Sequence, residues 1–155
     1  RQYELHLYGG SFEEAGGVAV TYHGVMGADE LPARLQGAFG LIWDGDTMDR
    51  CSGVYGDYLR INAPHKMSLY LAAGIPVLIW DQAAQAHFVT EHDVGLTISS
   101  LHQLDALLAS VTPEVYRRMA GNAAKLSPQI CSGQFLANAL DAILPKVESG
   151  AEAGV

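Results

Sequence analysis

Apolar segments of strand length alternate along the chain with segments whose apolar residues recur at the helical period. Several strand-length segments are apolar at consecutive positions, which is typical of strands covered on both faces in a parallel sheet. The predicted strands are Tyr3–Tyr8, Val18–Tyr22, Phe39–Trp43, Val77–Trp80 and Gly95–Ile98. The predicted helices are Asp29–Gln36, Pro64–Ala73, Ala83–Glu91, Leu101–Ala109, Pro113–Lys125 and Pro128–Leu144. This alternation predicts an α/β fold with a mostly parallel sheet flanked by helices.

Three polar residues are placed where a helix N-cap is expected. Asp29 precedes the first predicted helix, and Thr112 and Ser127 each precede a proline that begins one of the last two helices. An oxygen-bearing side chain followed by proline is a common helix start. The oxygen accepts a hydrogen bond from a free backbone N–H of the first turn, and proline has no N–H that would need an acceptor there. We expect all three to cap their helices.

Size and charge limit the classes of function. The chain has 155 residues, 49% of them hydrophobic and 17% charged, which suits one domain with a real core. The formal charge of −8 argues against nucleic acid or an anionic membrane surface as the main partner. Cys51 and Cys131 form no C-x-x-C pair, so we expect a reducing, cytoplasmic setting. No apolar run approaches the ~20 residues of a transmembrane helix, and none is expected.

The two ends of the chain also carry expectations. The sequence begins at Arg1 rather than Met and enters a predicted strand almost at once, so we expect a piece of a longer protein. Residues 1–145 are predicted to form the folded domain. Residues 146–155, rich in Gly, Ala and Glu, are predicted to form a flexible tail.

Lys66 occupies an unusual position in the predicted helix after Asn62. Asn62 is expected to cap this helix, with Pro64 in its first turn and Gly74 at its end. A cation in the first turn opposes the helix dipole at a cost of about 0.3–1 kcal/mol. The placement is favourable if an anion such as phosphate binds there, since free N–H groups and the ammonium then converge on it. A lysine directed into solvent is the alternative.

The segment Asp44–Ile61 connects the third predicted strand to this helix. It is much longer than the usual connection of about 2–6 residues and leaves the carboxyl end of a strand, where ligands bind in such folds. Gly53 allows close backbone approach, and the hydroxyls of Tyr55 and Tyr58 can reach phosphate or sugar oxygens. The segment matches neither a Walker loop nor a G-x-G-x-x-G fingerprint. A purely structural loop remains the alternative.

Three further candidates carry weaker signals. His65, next to Lys66, could donate to phosphate or cap a carbonyl. Gly24 and Val25 follow the second strand and could face a flat base, although an ordinary turn is favoured.

Acidic residues after the third strand raise the question of a metal. Asp44, Asp46 and Asp49 could hold a divalent cation, but turn formation and capping explain them as well. The six histidines form no zinc motif. We therefore expect neither a metal nor a cofactor.

Three motif blocks together resemble one protein family. The blocks are Gly40–Gly45, Ser52–Leu59 and Asn62–Gly74, with the sequences GLIWDG, SGVYGDYL and NAPHKMSLYLAAG. They resemble bacterial glycosyltransferases of the galactofuranosyltransferase family, which are related to the glucosyltransferase that extends N-acetylglucosamine on serine-rich adhesins. The resemblance runs from about Tyr3 to Leu144.

This resemblance implies the C-terminal, donor-binding half of a GT-B enzyme, with a Rossmann-like sheet. It implies that the N-terminal acceptor domain and a first strand–helix unit lie outside this chain. By the same resemblance, Asn62 and Lys66 contact the diphosphate of a UDP-hexose, Tyr58 or Tyr55 lies beside it, and Gly24–Met26 faces the uracil. Lys66 would be the catalytic group, without a metal. The acceptor would be a carbohydrate or glycoprotein, and the fragment would be inactive alone.

The family pattern differs at two positions of this sequence. The motif Tyr-Asn-Asn-Pro-His-Lys appears here with Ile61 and Ala63 in place of a tyrosine and an asparagine. Donor contacts made from those positions, and with them the sugar preference, are therefore expected to differ.

Two other functions remain open from the sequence. One is an epimerase-type enzyme that acts on a UDP-sugar, and the other is a non-catalytic, flavodoxin-like interaction module. The helices after Ile98 pack toward the rest of a longer protein or form the surface of a homo-oligomer; the sequence does not choose between these.

Overall fold

The five strands of the described residues form two separate sheets, and the strands within each sheet are parallel. A computed structural model of the protein describes residues 3–10 and 19–151. Strand β1 (Leu5–Leu7) pairs with β2 (Val20–Tyr22), whereas β3 (Gly40–Ile42), β4 (Val77–Trp80) and β5 (Gly95–Ile98) form the second sheet in that order. Each predicted strand is confirmed in position, although three are shorter than predicted, and Val18 lies outside the described residues.

Seven α-helices accompany these strands in the described part of the chain. They are α1 (Leu31–Arg34), α2 (Gly53–Leu59), α3 (His65–Ala72), α4 (Ala86–Glu91), α5 (Leu104–Ser110), α6 (Pro113–Cys131) and α7 (Gln134–Ala151). A short 3-10 turn at Leu101–Gln103 leads into α5. Parallel strands with helices in the connections confirm the predicted α/β fold.

The core is built around the central strand of the three-stranded sheet. All four residues of β4 are buried, with Val77, Ile79 and Trp80 at 0% exposure. Leu71 of α3 and Met119 of α6 are also fully buried, and these two helices pack against each other. Continuous burial along β4 is what consecutive apolar residues in a parallel strand require.

The prediction that the whole segment Asp44–Ile61 is a loop is wrong, because it contains helix α2. Two glycines in seven residues weaken intrinsic helix propensity by about 1 kcal/mol each, which hides the helix in the sequence. Tertiary packing compensates, since Gly56 and Leu59 are buried against the rest of the domain.

Helix α1 is shorter than predicted and is not capped by Asp29. Its N-cap is Glu30, and no side chain accepts a hydrogen bond there. The N–H groups of Glu30 and Leu31 donate instead to the carbonyl of Gly27, at 3.1 and 3.0 Å. A backbone turn therefore supplies the acceptor for these N–H groups that we expected from the Asp29 carboxylate. Helix α4 likewise begins at Ala86, after a turn, rather than at Ala83.

The predicted break before Pro128 is also wrong. Helix α6 continues through Pro128 to Cys131, and the turn to α7 falls after it, at Ser132 and Gly133. Ser127 does not cap a helix, since its hydroxyl donates 2.7 Å to the carbonyl of Ala72 at the end of α3. Packing of α6 on α3 outweighs the missing proline N–H.

The start of α6 and the end of α7 can also be compared with the sequence predictions. The predicted cap Thr112 is confirmed, because its hydroxyl accepts from the N–H of Val115 at 3.3 Å. Helix α7 extends to Ala151, past the predicted helix end at Leu144 and into the segment predicted as a tail.

Candidate functional site

Lys66 and Asp44 meet at the carboxyl end of β3. Asp44 lies two residues after that strand, and Lys66 lies in the first turn of α3. Lys66 Nζ is 2.7 Å from Asp44 Oδ1, and the two side chains are 45% and 30% exposed. The lysine is therefore not directed into bulk solvent, because its ammonium reaches the edge of the sheet where the sequence predicts a site.

The first turn of α3 also presents unpaired backbone donors. Its N-cap is Pro64, which has no capping side chain, and the Met67 N–H donates to the Pro64 carbonyl at 2.9 Å. Within the described residues, the N–H groups of His65 and Lys66 have no hydrogen-bond acceptor. These groups, the helix dipole and the Lys66 ammonium together favour an anion.

Asn62 does not cap helix α3, so that prediction is wrong. Pro64 occupies the cap position, and the backbone N–H of Asn62 donates instead to the carbonyl of Tyr58 at 3.0 Å. The side-chain oxygen of Asn62 is buried and has no hydrogen-bond donor within the described residues. A buried oxygen without a donor is costly, so this amide is free to pair with a ligand or to reorient toward one.

Helix α2 packs closely on the backbone next to Asp44. A methyl group added at Gly56 would lie 2.6 Å from the carbonyl carbon of Cys51 and 3.3 Å from the carbonyl oxygen of Asp44. The N–H of Asp44 donates to Cys51 Sγ at 3.4 Å. Burial raises the pKa of the Cys51 thiol and outweighs the hydrogen bond from the Asp44 N–H, which lowers that pKa. The thiol is therefore a neutral partner that helps to hold the Asp44 backbone in place.

Tyr55 and Tyr58 lie on the exposed face of α2, at 76% and 55% exposure. With Val54 and Ile61 they line a shallow, open depression on the surface. No hydrogen bond joins either hydroxyl to another described residue. Gly53 begins α2. Both tyrosines therefore lie on α2, and no hydrogen bond joins their hydroxyls to Lys66 within the described residues.

Gly24 and Val25 lie at the carboxyl end of the other sheet. Gly24 has a φ of +73°, which favours glycine, and its carbonyl accepts from the Gly9 N–H at 2.9 Å. Val25 is 75% exposed. These residues belong to a different sheet from the one next to Lys66, and no hydrogen bond links the two groups among the described residues.

His65 is exposed at the first position of α3, next to Lys66. Its ring makes no hydrogen bond or ion pair within the described part of the chain. The carbonyl cap considered from the sequence is therefore not made within the described residues, and the phosphate contact stays a prediction.

Sequence reasoning missed two groups at this edge. The first is Asp44, which the sequence suggests as a metal ligand or turn residue but not as the partner of Lys66. A cation at a helix N-terminus is stabilised by a nearby negative charge, and this was the available signal. The second is Arg60, whose guanidinium carbon lies 4.7 Å from the centre of the Trp80 ring. Trp80 is the last residue of β4, and its indole Nε1 is buried without an acceptor in the described residues. No spacing rule in the sequence joins Arg60 to Trp80.

The acidic residues of this segment do not form a metal site. Asp44 pairs with Lys66, and Asp49 lies 3.3 Å from His102 Nε2. No group of three or more His, Cys, Asp or Glu side chains within the described ranges is arranged to hold a metal ion. That the protein needs no metal stays a prediction.

Over residues 3–10 and 19–151, no helix is both long and apolar enough to cross a bilayer.

The parallel α/β fold, with a candidate anion site at the carboxyl end of β3, is typical of nucleotide-binding domains. Comparison with known families identifies the family. Residues 1–143 match the family model described as glucosyltransferase 3-like, C-terminal domain. The chain therefore belongs to this family, and the resemblance drawn from the three motif blocks is confirmed.

Individual relatives narrow the comparison. The chain is 39% identical to the beta-1,6-galactofuranosyltransferase WbbI of Escherichia coli (strain K12) over 111 residues, which are 72% of this chain and 34% of that protein. It is 30% identical to glucosyltransferase 3 of Streptococcus gordonii over 129 residues, which are 81% of this chain and 37% of that protein. The chain spans about a third of the length of these relatives.

Proposed function

We propose that this chain is the donor-binding domain of a GT-B glycosyltransferase that transfers a hexosyl group from a UDP-sugar. The acceptor is a carbohydrate or a glycosylated protein. The observation that carries this proposal is the ammonium of Lys66 at the first turn of α3, beside N–H groups without acceptors. A diphosphate is the anion class that best matches two backbone donors, a dipole and one cation.

Lys66 would act on the leaving group. When the bond between the sugar and the diphosphate breaks, negative charge grows on the diphosphate oxygen. Fixed donors placed where that charge develops lower the barrier, because they need no reorganisation during the reaction. Under this proposal the positive pole of α3 and Lys66 take the role that a divalent metal has in other transferases, and no metal is required.

Asp44 must release Lys66 for this to happen. Ion pairs that are partly exposed contribute only about 0–1 kcal/mol, so an incoming diphosphate with two or more charges can displace the carboxylate. Asn62 would pair its unsatisfied side-chain oxygen with a hydroxyl of the ribose or sugar, since an oxygen cannot donate to phosphate. We expect Gly24 and Val25 to face the uracil and Tyr55 or Tyr58 to approach the donor.

The relatives favour transfer over isomerisation. Both proteins described above are named as glycosyltransferases, whereas an epimerase would interconvert sugars without an acceptor. A product assay separates the two reactions. If the full-length protein isomerises a UDP-sugar and forms no glycoside, the transferase proposal fails.

Lys66→Ala in the full-length enzyme tests the role of the lysine. We expect turnover to fall about 10²–10³-fold, the loss typical of one donor that stabilises developing charge. The midpoint of thermal unfolding should hardly move, because the lost ion pair is partly exposed. Steady-state kinetics and a thermal scan measure the two effects.

Lys125→Ala is the matched control, since Lys125 is an exposed lysine on α6. It should leave both turnover and stability unchanged. Full activity of Lys66→Ala under the same conditions would contradict the proposed role.

A further inference from the structure

Asp81 and Gln82 directly follow the central strand β4, and both side chains are exposed. Neither side chain makes a hydrogen bond or an ion pair with another residue in the described part of the chain. In α/β sheets ligands bind beyond the carboxyl ends of the strands, which is where these two residues lie. The neighbouring strand β3 ends at the candidate anion site, so Asp81 and Gln82 are next to that site.

The register of the sheet places Asp81 one strand away from Asp44. Ile42 of β3 pairs with Ile79 of β4, and each aspartate follows its isoleucine by two residues. Neighbouring strands lie about 4.7–4.9 Å apart. The two aspartates therefore leave the same edge of the sheet at the same level.

The electrostatic surroundings of Cys51 also indicate that these groups are close to one another. Burial is the main cause of the raised pKa of the thiol, and the hydrogen bond from the Asp44 N–H opposes it. The carboxylates of Asp44 and Asp81 raise that pKa further, whereas the ammonium of Lys66 lowers it. Asp44 pairs with this ammonium at 2.7 Å, and Asp81 makes no such pair within the described residues.

The turn that carries Asp81 and Gln82 is held by backbone hydrogen bonds. The Asp81 N–H donates to the Ile98 carbonyl at 2.9 Å, which ties the turn to β5. The Ala84 N–H donates to the Leu59 carbonyl at 2.9 Å, which ties it to the end of α2. Both side chains therefore start from a fixed backbone, and this reduces the entropy that is lost when a ligand binds.

A structural role does not account for these two side chains. The next helix, α4, has Gln85 at its N-cap, and no side chain caps it. Asp81 therefore does not cap α4, and its exposed carboxylate satisfies no donor of the described residues. Exposed side chains without partners contribute little to stability. Asp81 and Gln82 are thus available to a ligand.

A carboxylate next to an amide matches hydroxyl groups better than it matches phosphate. The carboxylate of Asp81 only accepts hydrogen bonds and repels an anion, whereas a sugar hydroxyl can donate to it. The amide of Gln82 offers donors and an acceptor, which suits hydroxyls because they do both. We therefore expect phosphate on the Lys66 side of this edge and hydroxyl groups on the Asp81 side.

We propose that Asp81 and Gln82 bind hydroxyl groups of the donor hexose and take part in selecting the sugar. This inference rests on the proposed function, because a diphosphate at the first turn of α3 determines where the hexose begins. The hexose is bonded directly to the diphosphate, and the step from β3 to β4 is one strand spacing. A hexose without the matching hydroxyl would leave Asp81 unpaired, which is how polar sites discriminate between substrates.

Calorimetric titrations of the full-length protein with UDP and with a UDP-hexose test the inference. The UDP-hexose is whichever of UDP-glucose, UDP-galactose and UDP-galactofuranose the unmodified protein binds most tightly. For Asp81→Ala we expect UDP-hexose binding to weaken about 10-fold, the loss typical of a hydrogen bond to a charged group, while UDP binding does not weaken. A purely electrostatic role predicts the opposite, because loss of a carboxylate near the diphosphate would strengthen both titrations; that result would overturn the inference.

Both titrations contain an excess of a metal chelator and no acceptor. An effect under these conditions comes neither from an acceptor hydroxyl nor from a divalent cation that bridges Asp44 and Asp81 to the diphosphate. Gln82→Ala is the second variant, and we expect it to weaken UDP-hexose binding about 3-fold, as for a neutral hydrogen bond. Asp141→Asn, at an exposed acid on α7, is the matched control and should change neither titration.

The possible results separate this inference from the proposed function. If the full-length protein binds no UDP, the proposed function fails and this inference fails with it. If UDP binds but Asp81→Ala does not change the affinity for the UDP-hexose, only this inference is overturned. Thermal midpoints should be equal among the variants, because the changed side chains are exposed. If Asp81→Ala does not fold, the titrations of Gln82→Ala decide.

Discussion

The ion pair between Lys66 and Asp44 determines how much positive charge the first turn of α3 offers to a ligand. Lys66 Nζ and Asp44 Oδ1 lie 2.7 Å apart, but both side chains are partly exposed. The ion pair therefore contributes little to the free energy of folding. A weak pair at this place has two effects. It offsets the unfavourable interaction of Lys66 with the helix dipole when no ligand is bound, and it leaves a carboxylate beside the proposed diphosphate.

Asp44→Asn should therefore strengthen nucleotide binding. Removing the carboxylate ends its competition for Lys66 and its repulsion of the diphosphate, an effect of about 1 kcal/mol or about 5-fold in the dissociation constant of UDP. Calorimetric titration of the full-length protein with UDP measures it. Asp49→Asn, an exposed acid in the same connection, is the control and should bind as the unmodified protein does. Weaker binding by Asp44→Asn would show that Asp44 positions Lys66 instead of competing for it.

Cys51 gives a pH dependence with a defined sign. Burial raises the pKa of its thiol, so the unfolded chain loses this proton at a lower pH than the folded chain does. A rise in pH through the ordinary thiol pKa of about 8.5 therefore lowers the free energy of unfolding. The stabilisation is complete below that range. Tyr70, whose pKa is also raised by burial, adds a similar loss only above about pH 10.

Denaturant unfolding between pH 7.5 and 9.5 measures this dependence. Cys51→Ala should flatten the decline across this interval, whereas Cys131→Ala should keep it, because Cys131 is exposed on the surface. A decline of the same slope in both variants would assign it to other groups.

At the scale of elements, α2 shows how packing can decide structure against local propensity. Its glycines disfavour a helix, yet Gly56 lets the helix approach the backbone at Cys51 and Asp44 to a distance that no side chain allows. The same contact holds the Asp44 end of the candidate site. The segment between β3 and α3 is therefore a packed part of the domain that positions Asp44, and not a flexible loop around a ligand.

Two glycine-to-alanine variants separate these effects. Gly56→Ala should lower the free energy of unfolding by about 1–3 kcal/mol, because the added methyl lies 2.6 Å from the Cys51 carbonyl carbon. Gly121→Ala in α6 should raise it by about 0.5–1 kcal/mol, since the new methyl meets nothing within 4 Å and alanine favours helix. Chemical denaturation measures both. Stabilisation by both substitutions would show that α2 is not tightly packed.

The sequence predicted helices and strands best where local signals and packing agree. The strands of the second sheet and the N-cap at Thr112 follow from apolar runs and a capping oxygen, and both are confirmed. The break at Pro128 was wrong because contact with α3 outweighs one missing N–H. The candidate lysine lies where the motif placed it, but its partner Asp44 comes from a distant part of the chain, and local signals do not encode such contacts.

At the scale of the whole molecule, the described strands form two parallel sheets that share no strand, and the proposed site lies at the carboxyl end of β3. Lys66 belongs to the side with three strands and Gly24 to the side with two. A UDP-sugar that contacts both must bridge them. The first strand–helix unit that the family resemblance implies would fix their separation, so the isolated chain should hold the site less firmly than the full-length protein does.

The 155-residue chain should therefore bind UDP more weakly than the full-length protein and show no transferase activity by itself. About a 10-fold or larger difference in the dissociation constant of UDP, equivalent to about 1.4 kcal/mol, is expected if that strand–helix unit orders the site. Parallel titrations with UDP and an assay of glycoside formation measure both properties. Transferase activity of the isolated chain would contradict the proposed division of the site.

The sequence by itself determined the class of fold, the order of the parallel strands along the chain, the family and the position of Lys66. These depend on apolar periodicity, capping chemistry and motif spacing, which act over a few neighbouring residues. Only the tertiary structure decided that α2 is a helix, that Asp44 pairs with Lys66, and that the described strands form two sheets. Those features depend on which distant backbone and side-chain groups come into contact, and the energies of such contacts exceed local preferences.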